Sequence, residues 1–92
     1  MTKADLVEMV HERTGVLKRE AVSHVESLLE IIKTTLGRGE PVKIAGFGVF
    51  EVKEKKARLG RNPQTGEAIT IEKRRVLSFK ASQILRQAVN RQ

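Results

Sequence analysis

Apolar residues first recur along this chain at a helical interval. Leu6, Val7 and Val10, with Met9 beside them, follow the stretch T-K-A-D that begins at Thr2. Thr2 suits an N-cap, and Asp5 falls at the third helical position, where a carboxylate reaches back to the cap. Gly15 supplies a stop. A second, longer helix is predicted over Lys18 to Leu36, with Ala21, Val22, Val25, Leu28, Leu29, Ile31, Ile32 and Leu36 as its apolar residues. At about 100° per residue these cover close to half the cylinder, a wider stripe than one packing partner needs. Gly37, Gly39 and Pro41 end it.

The period then changes from 3.6 to 2. Val42 and Ile44 alternate with Lys43 and Ala45, and Gly46-Phe47-Gly48 reads as a turn. A second strand is predicted from about Val49 to Leu59, with Phe50 and Val52 on one face. A third runs from Ala68 to Phe79, with Ile69, Ile71, Lys73 and Arg75 on one side. The stretch GRNPQTGEAITI, Gly60 to Ile71, joins the two, and Gly60 and Gly66 are expected to let the backbone turn sharply on either side of Pro63. A terminal helix follows Lys80, with Ile84, Leu85, Ala88 and Val89 as its stripe. The order is ααβββα, an α+β class.

The segments KEKKAR (53–58) and EKRR (72–75) have almost nothing apolar to bury. The two long strands must therefore leave the body as a polar ribbon, and a lone two-stranded ribbon is marginally stable in water. The remaining body is small for an independent core. A dimer with a shared core is the simplest solution. Phe47, Phe50 and Phe79, with Leu29 and Ile32 from the wide stripe, would then form the dimer's centre; an ordinary monomer core is the alternative. One domain spanning 1–92 is expected: a helical dimerising part over 1–41, sheet and arm over 42–80, and a C-terminal helix over 81–92.

Charge sharpens this picture. Residues 1–42 hold six Lys/Arg against seven Asp/Glu, whereas residues 43–80 hold ten against four. The net charge of +7 thus lies mostly in the ribbon region, which points to a polyanionic partner. There is no cysteine, which excludes disulfides and thiolate metal sites. The N-terminus has no export pattern and no run is long enough to span a membrane, so a soluble, intracellular protein is expected, with no membrane partner.

Two strands of about ten residues project roughly 30 Å at ~3.3 Å per residue. Lys53, Lys55, Lys56, Arg58, Arg61, Lys73, Arg74 and Arg75 line them. Double-stranded nucleic acid fits this design, because closely spaced phosphates reward a row of cations by releasing counterions. Pro63, at the tip, is rigid, apolar and without an N–H. It is either a simple turn former or a wedge that enters the minor groove and partly unstacks a base step. Arg61 and Asn62 beside it carry donors for base edges in that groove.

Other functions fit less well. AGFGVFEV brushes against an RNA-recognition pattern, but Ala45 replaces its basic residue, and without Trp or Tyr the stacking platform is thin. His11 and His24 fall on different helices, with no metal-binding spacing and no Gly-rich phosphate loop. No enzyme activity, cofactor, metal or small-molecule substrate is expected.

The motifs GFGVF and GRNPQTG, with TKADLVEMV at the start and FKASQILRQAVN at the end, carry a resemblance over essentially the whole chain. The sequence resembles the bacterial HU and integration host factor family of DNA-bending proteins. That resemblance implies an intertwined dimer with two β-arms embracing DNA and an intercalating proline at each tip. Carried over by motif, Arg58, Arg61, Asn62 and Pro63 would be minor-groove residues, with Ile69 and Ile71 packed behind the tip. Lys3, Lys53, Lys73, Arg74, Arg75 and Lys80 would be phosphate contacts, with Lys55 beside them. The double arginine in RRVLSF looks closer to the integration host factor alpha subunit, which implies a related beta-type partner; an HU-like chain would pair with itself. Location at the bacterial nucleoid follows. Leu17 stands where relatives commonly have a capping Ser, a loss of about 1 kcal/mol for the second helix.

Overall fold

A computed structural model describes residues 1–91; Gln92, the last residue of the expected 81–92 segment, lies outside them. Two helices come first, α1 (Lys3–Thr14) and α2 (Lys18–Gly37). Five strands follow: β1 (Val42–Ile44), β2 (Gly48–Lys55), β3 (Arg58–Arg61), β4 (Ala68–Ile71) and β5 (Arg74–Ala81). The last element is α3 (Gln83–Asn90). The strands form an antiparallel three-stranded sheet in the order β1-β2-β5 and a two-stranded ribbon of β3 and β4.

Local chemistry sets the helix ends. Thr2 and Asp5 form the expected reciprocal cap: Asp5 N–H donates to Thr2 Oγ1 at 3.2 Å, and Thr2 N–H to Asp5 Oδ2 at 2.8 Å. Gly15 N–H closes α1 onto the His11 carbonyl at 3.0 Å. His11 Nδ1–H donates to the Val16 carbonyl at 2.6 Å, which pins the turn into α2. Leu17 is the N-cap of α2 and makes no side-chain cap hydrogen bond, so the first turn of α2 keeps unsatisfied amides. Ser82 caps α3 by accepting from Leu85 N–H at 3.1 Å. The Ser-Gln-Ile-Leu sequence carried that signal, and the sequence reading passed over it.

The buried core is small. Val7, Ala21 and Val25 are its only buried hydrophobic residues among those described, with Val10 and Val16 packed against them. Leu28, Leu29, Ile31, Phe47, Leu77, Phe79 and Ile84 are all exposed in the single chain. The radius of gyration is 19.1 Å over extents of 60 × 34 × 26 Å, against about 12 Å for a compact domain of this length. One chain alone leaves much of its apolar surface in water. No helix among the described residues is long and apolar enough to cross a membrane.

The two long strands expected from the sequence are each interrupted, at 56–57 and at 72–73. Register is kept across the gap. Lys55 lies opposite Arg74 and Arg58 opposite Ile71, so each strand moves three residues and neither gains an extra one. The gap is thus a loss of ladder pairing without a bulge.

Candidate nucleic-acid interface

Strand alternation sorts the side chains of β2 and β5 onto two faces. On one lie the pairs Phe50 with Phe79, Val52 with Leu77, and Glu54 with Arg75. On the other lie Val49 with Lys80, Glu51 with Ser78, Lys53 with Val76, and Lys55 with Arg74. Four of the expected phosphate contacts, Lys53, Lys55, Arg74 and Lys80, therefore share one face. Each is exposed, and among the described residues no carboxylate lies within ion-pair distance of any of them.

Lys43 joins that face. It pairs with Val49, which pairs in turn with Lys80, so a row of cation, valine and cation crosses the three strands. Lys43, Lys80 and Arg86 border a shallow groove of about 570 Å³ between β1, β2 and the start of α3. The sequence reading left out Lys43 and Arg86. Lys43 was accessible to it, since it alternates with Val42 and Ile44; Arg86 required knowing where α3 docks.

The other three expected phosphate contacts are already engaged. Lys3, on α1, pairs with Glu26 of α2 at 3.2 Å. Lys73 and Arg75 converge on Glu54 at 3.5 and 4.0 Å. Such exposed pairs are worth about 0–1 kcal/mol each.

The ribbon tip is a closed six-residue loop. Asn62 N–H donates to the Glu67 carbonyl at 2.8 Å, and Gly66 N–H to the Asn62 carbonyl at 2.7 Å. Gln64 N–H donates to Asn62 Oδ1 at 2.9 Å, an Asx turn around Pro63. Gly66 has φ +74° and makes the turn that the sequence reading expected of it. The side chain of Asn62 thus holds the loop by its oxygen, which leaves its amide donors unused by that turn. Pro63 stands exposed at the apex.

Gly60 does a different job from the one expected. It lies inside β3, opposite Ile69, and has no left-handed φ. A Cβ there would sit 2.9 Å from Ile71 Cδ1, so glycine makes room for Ile71 to cross the ribbon just behind the tip. Ile69 and Ile71 flank this notch, while Arg58 and Arg61 are exposed on the same short strand.

Comparison with known proteins meets this geometry directly. A family model described as "Bacterial DNA-binding protein" matches residues 1–90. The chain belongs to the bacterial DNA-binding protein family. Within it, the chain is 58% identical over 90 residues to an integration host factor subunit alpha of Anaeromyxobacter sp. (strain Fw109-5), covering 98% of this chain and 91% of that one. It is 53% identical to integration host factor subunit alpha of Myxococcus xanthus, covering 98% of this chain and 70% of the relative. Among solved structures it resembles HU from Anabaena, solved as a cocrystal with DNA, with a TM-score of 0.83, 39% identity and full coverage of both chains. An HU variant from Thermotoga maritima matches with a TM-score of 0.72 and 27% identity, over 98% of this chain and all of that one. The α+β fold with β-arms is that of this family.

Proposed function

We propose that this chain is one subunit of an architectural DNA-binding dimer that bends duplex DNA. The observation that carries the reading is the ribbon itself. An exposed Pro63 stands at its tip, Ile69 and Ile71 back that tip, and one face at its root bears Lys53, Lys55, Arg74 and Lys80, with no acidic partner among the described residues. Those cations neutralise phosphates by counterion release. Arg58, Arg61 and the amide of Asn62 sit in the minor groove, where donors read A·T against G·C. Pro63 is the wedge between base steps. Lys3 and Lys73 take phosphates by leaving their weak carboxylate partners.

The dimer completes the core. Phe47, Phe50, Phe79, Leu29 and Ile32 lie at its centre, and the exposure of Phe47 (44%) and Phe79 (42%) in one chain supports that placement. Residues 1–41 serve dimerisation, 42–80 hold most of the sheet and the arm, and the C-terminal segment carries α3 (Gln83–Asn90). The similarity to integration host factor alpha subunits favours a related beta-type subunit as partner. The Anabaena HU likeness keeps a homodimer as the second reading. The role is mechanical rather than catalytic and belongs to the bacterial nucleoid, in complexes for recombination and transcription.

The test is a competition. A duplex of about three helical turns, roughly 30 bp, is bound by the purified protein, with or without a beta-type partner, and challenged with single-stranded RNA. Retention of the duplex is expected; displacement by the RNA would overturn the reading.

A further inference from the structure

Arg75 was expected to contact phosphate, and the structure gives it other work. Its Nη1 donates to the Gly37 carbonyl at 3.1 Å. Gly37 is the last residue of α2, and the final carbonyls of a helix have no partner within it. They also mark the negative end of the helix dipole, which favours a cation. The same guanidinium reaches back across the strand pair, with Nε 4.0 Å from Glu54 Oε1. Its Nη2 lies 2.9 Å from where a side chain on Gly39 would begin. A planar fork of five donors is pre-organised to hold a carbonyl and a carboxylate on different nitrogens; a lysine has to reach both from a single nitrogen.

Its place along the chain matters as much as its contacts. Arg75 is the second residue of β5, one residue past the interruption at 72–73. The helical hairpin and the sheet share few other contacts. Among the described residues, the one side chain that ties the end of α2 to β5 by a hydrogen bond therefore sits where the continuous ladder of the sheet gives way to the ribbon.

We propose that Arg75 is a positioning residue: it latches the root of the arm to the C-terminal end of α2 and so fixes the direction in which the ribbon leaves the body. On DNA, that direction decides how far the two arms draw the duplex round the dimer. The half of this proposal that concerns DNA rests on the bending function above. The half that concerns the free arm does not.

The test uses both halves. The chain has no cysteine, so Gln64→Cys at the tip and Ser27→Cys on α2 accept spin labels, with labelled chain diluted so that each dimer carries one labelled copy. In the free protein, Arg75→Ala is expected to broaden the tip-to-helix distance distribution. On end-labelled duplex at saturating protein it is expected to reduce energy transfer between the ends. The log–log salt slope of binding should stay unchanged, because no phosphate contact is lost. Arg75→Lys, which keeps the charge but not the fork, should broaden the distribution to a lesser degree.

An unchanged distance distribution in both variants overturns the latch whatever happens on DNA. A slope reduced by about one, with the distribution unchanged, makes Arg75 a phosphate contact instead. A broadened distribution with full bending overturns the claim that the latch sets the bend. Failure of the unsubstituted protein to bend DNA counts against the bending function alone, and the free-protein distances still decide the latch.

Discussion

Phe50 and Phe79 face each other in register across β2 and β5, with ring centroids 4.6 Å apart and the planes tilted by 43°. Phe47 reaches the same ring at 5.6 Å. One chain leaves this aromatic cluster open, with Phe79 42% exposed. In the proposed dimer, a second chain completes its burial. Phe79→Ala is expected to cost about 3–5 kcal/mol. The melting temperature should rise with protein concentration in the unsubstituted protein, because folding and association are linked. Concentration-independent melting, or a native-like melt for the variant, would place the cluster outside the dimer core.

Pro63 sits at the apex of a loop that closes through Asn62, Gly66 and Glu67 without using a proline group. Pro63→Ala should therefore leave the loop, the dimer and the melt nearly unchanged. Bending should fall, because Ala is too small to hold a base step open. Bending equal to that of the unsubstituted protein would defeat the wedge.

Lys55 belongs to the cationic face and has no acid partner among the described residues. Lys55→Ala should reduce the slope of log K against log salt by about 0.9, one phosphate's worth. Affinity should drop similarly on unrelated sequences, since phosphate contacts carry no base information. A slope that does not move removes Lys55 from the interface.

Leu17 caps α2 in position but not in chemistry. Leu17→Ser should stabilise the fold by about 1 kcal/mol, seen as a rise of roughly 4–8 °C in the melting midpoint. Binding and bending should be untouched, because this end of α2 lies away from the ribbon. A neutral or lowered midpoint would mean that the exposed Leu17 side chain is packed in the dimer.

Much of this architecture is legible in the chain. Helical spacing locates α1 and α2, Thr2 with Asp5 marks the first cap, and Gly15 the first stop. The excess of apolar residues on the second helix, set against a ribbon whose root segments 53–58 and 72–75 have almost nothing apolar to bury, already points to a partner. What escapes reading is long-range. The sequence 53–58 is polar except for Ala57 and carries no glycine or proline to mark where the strand pairing lapses. Gly60 looks like a turn residue until its neighbour across the ribbon, Ile71, is known. Alternation in the sequence puts Arg75 on the opposite side from Arg74, but only the fold shows that Arg74's side is the open cationic face and that Arg75 meets the end of α2.

The central claim is that the ribbon bends DNA, and energy transfer between the ends of a roughly 30 bp duplex tests it most directly. Protein, alone and with a related beta-type subunit, is titrated across a salt series. The account predicts binding that weakens steeply with salt, and ends drawn together whenever the duplex is bound. Salt-sensitive binding with the end-to-end distance of naked DNA, in both preparations, would contradict it.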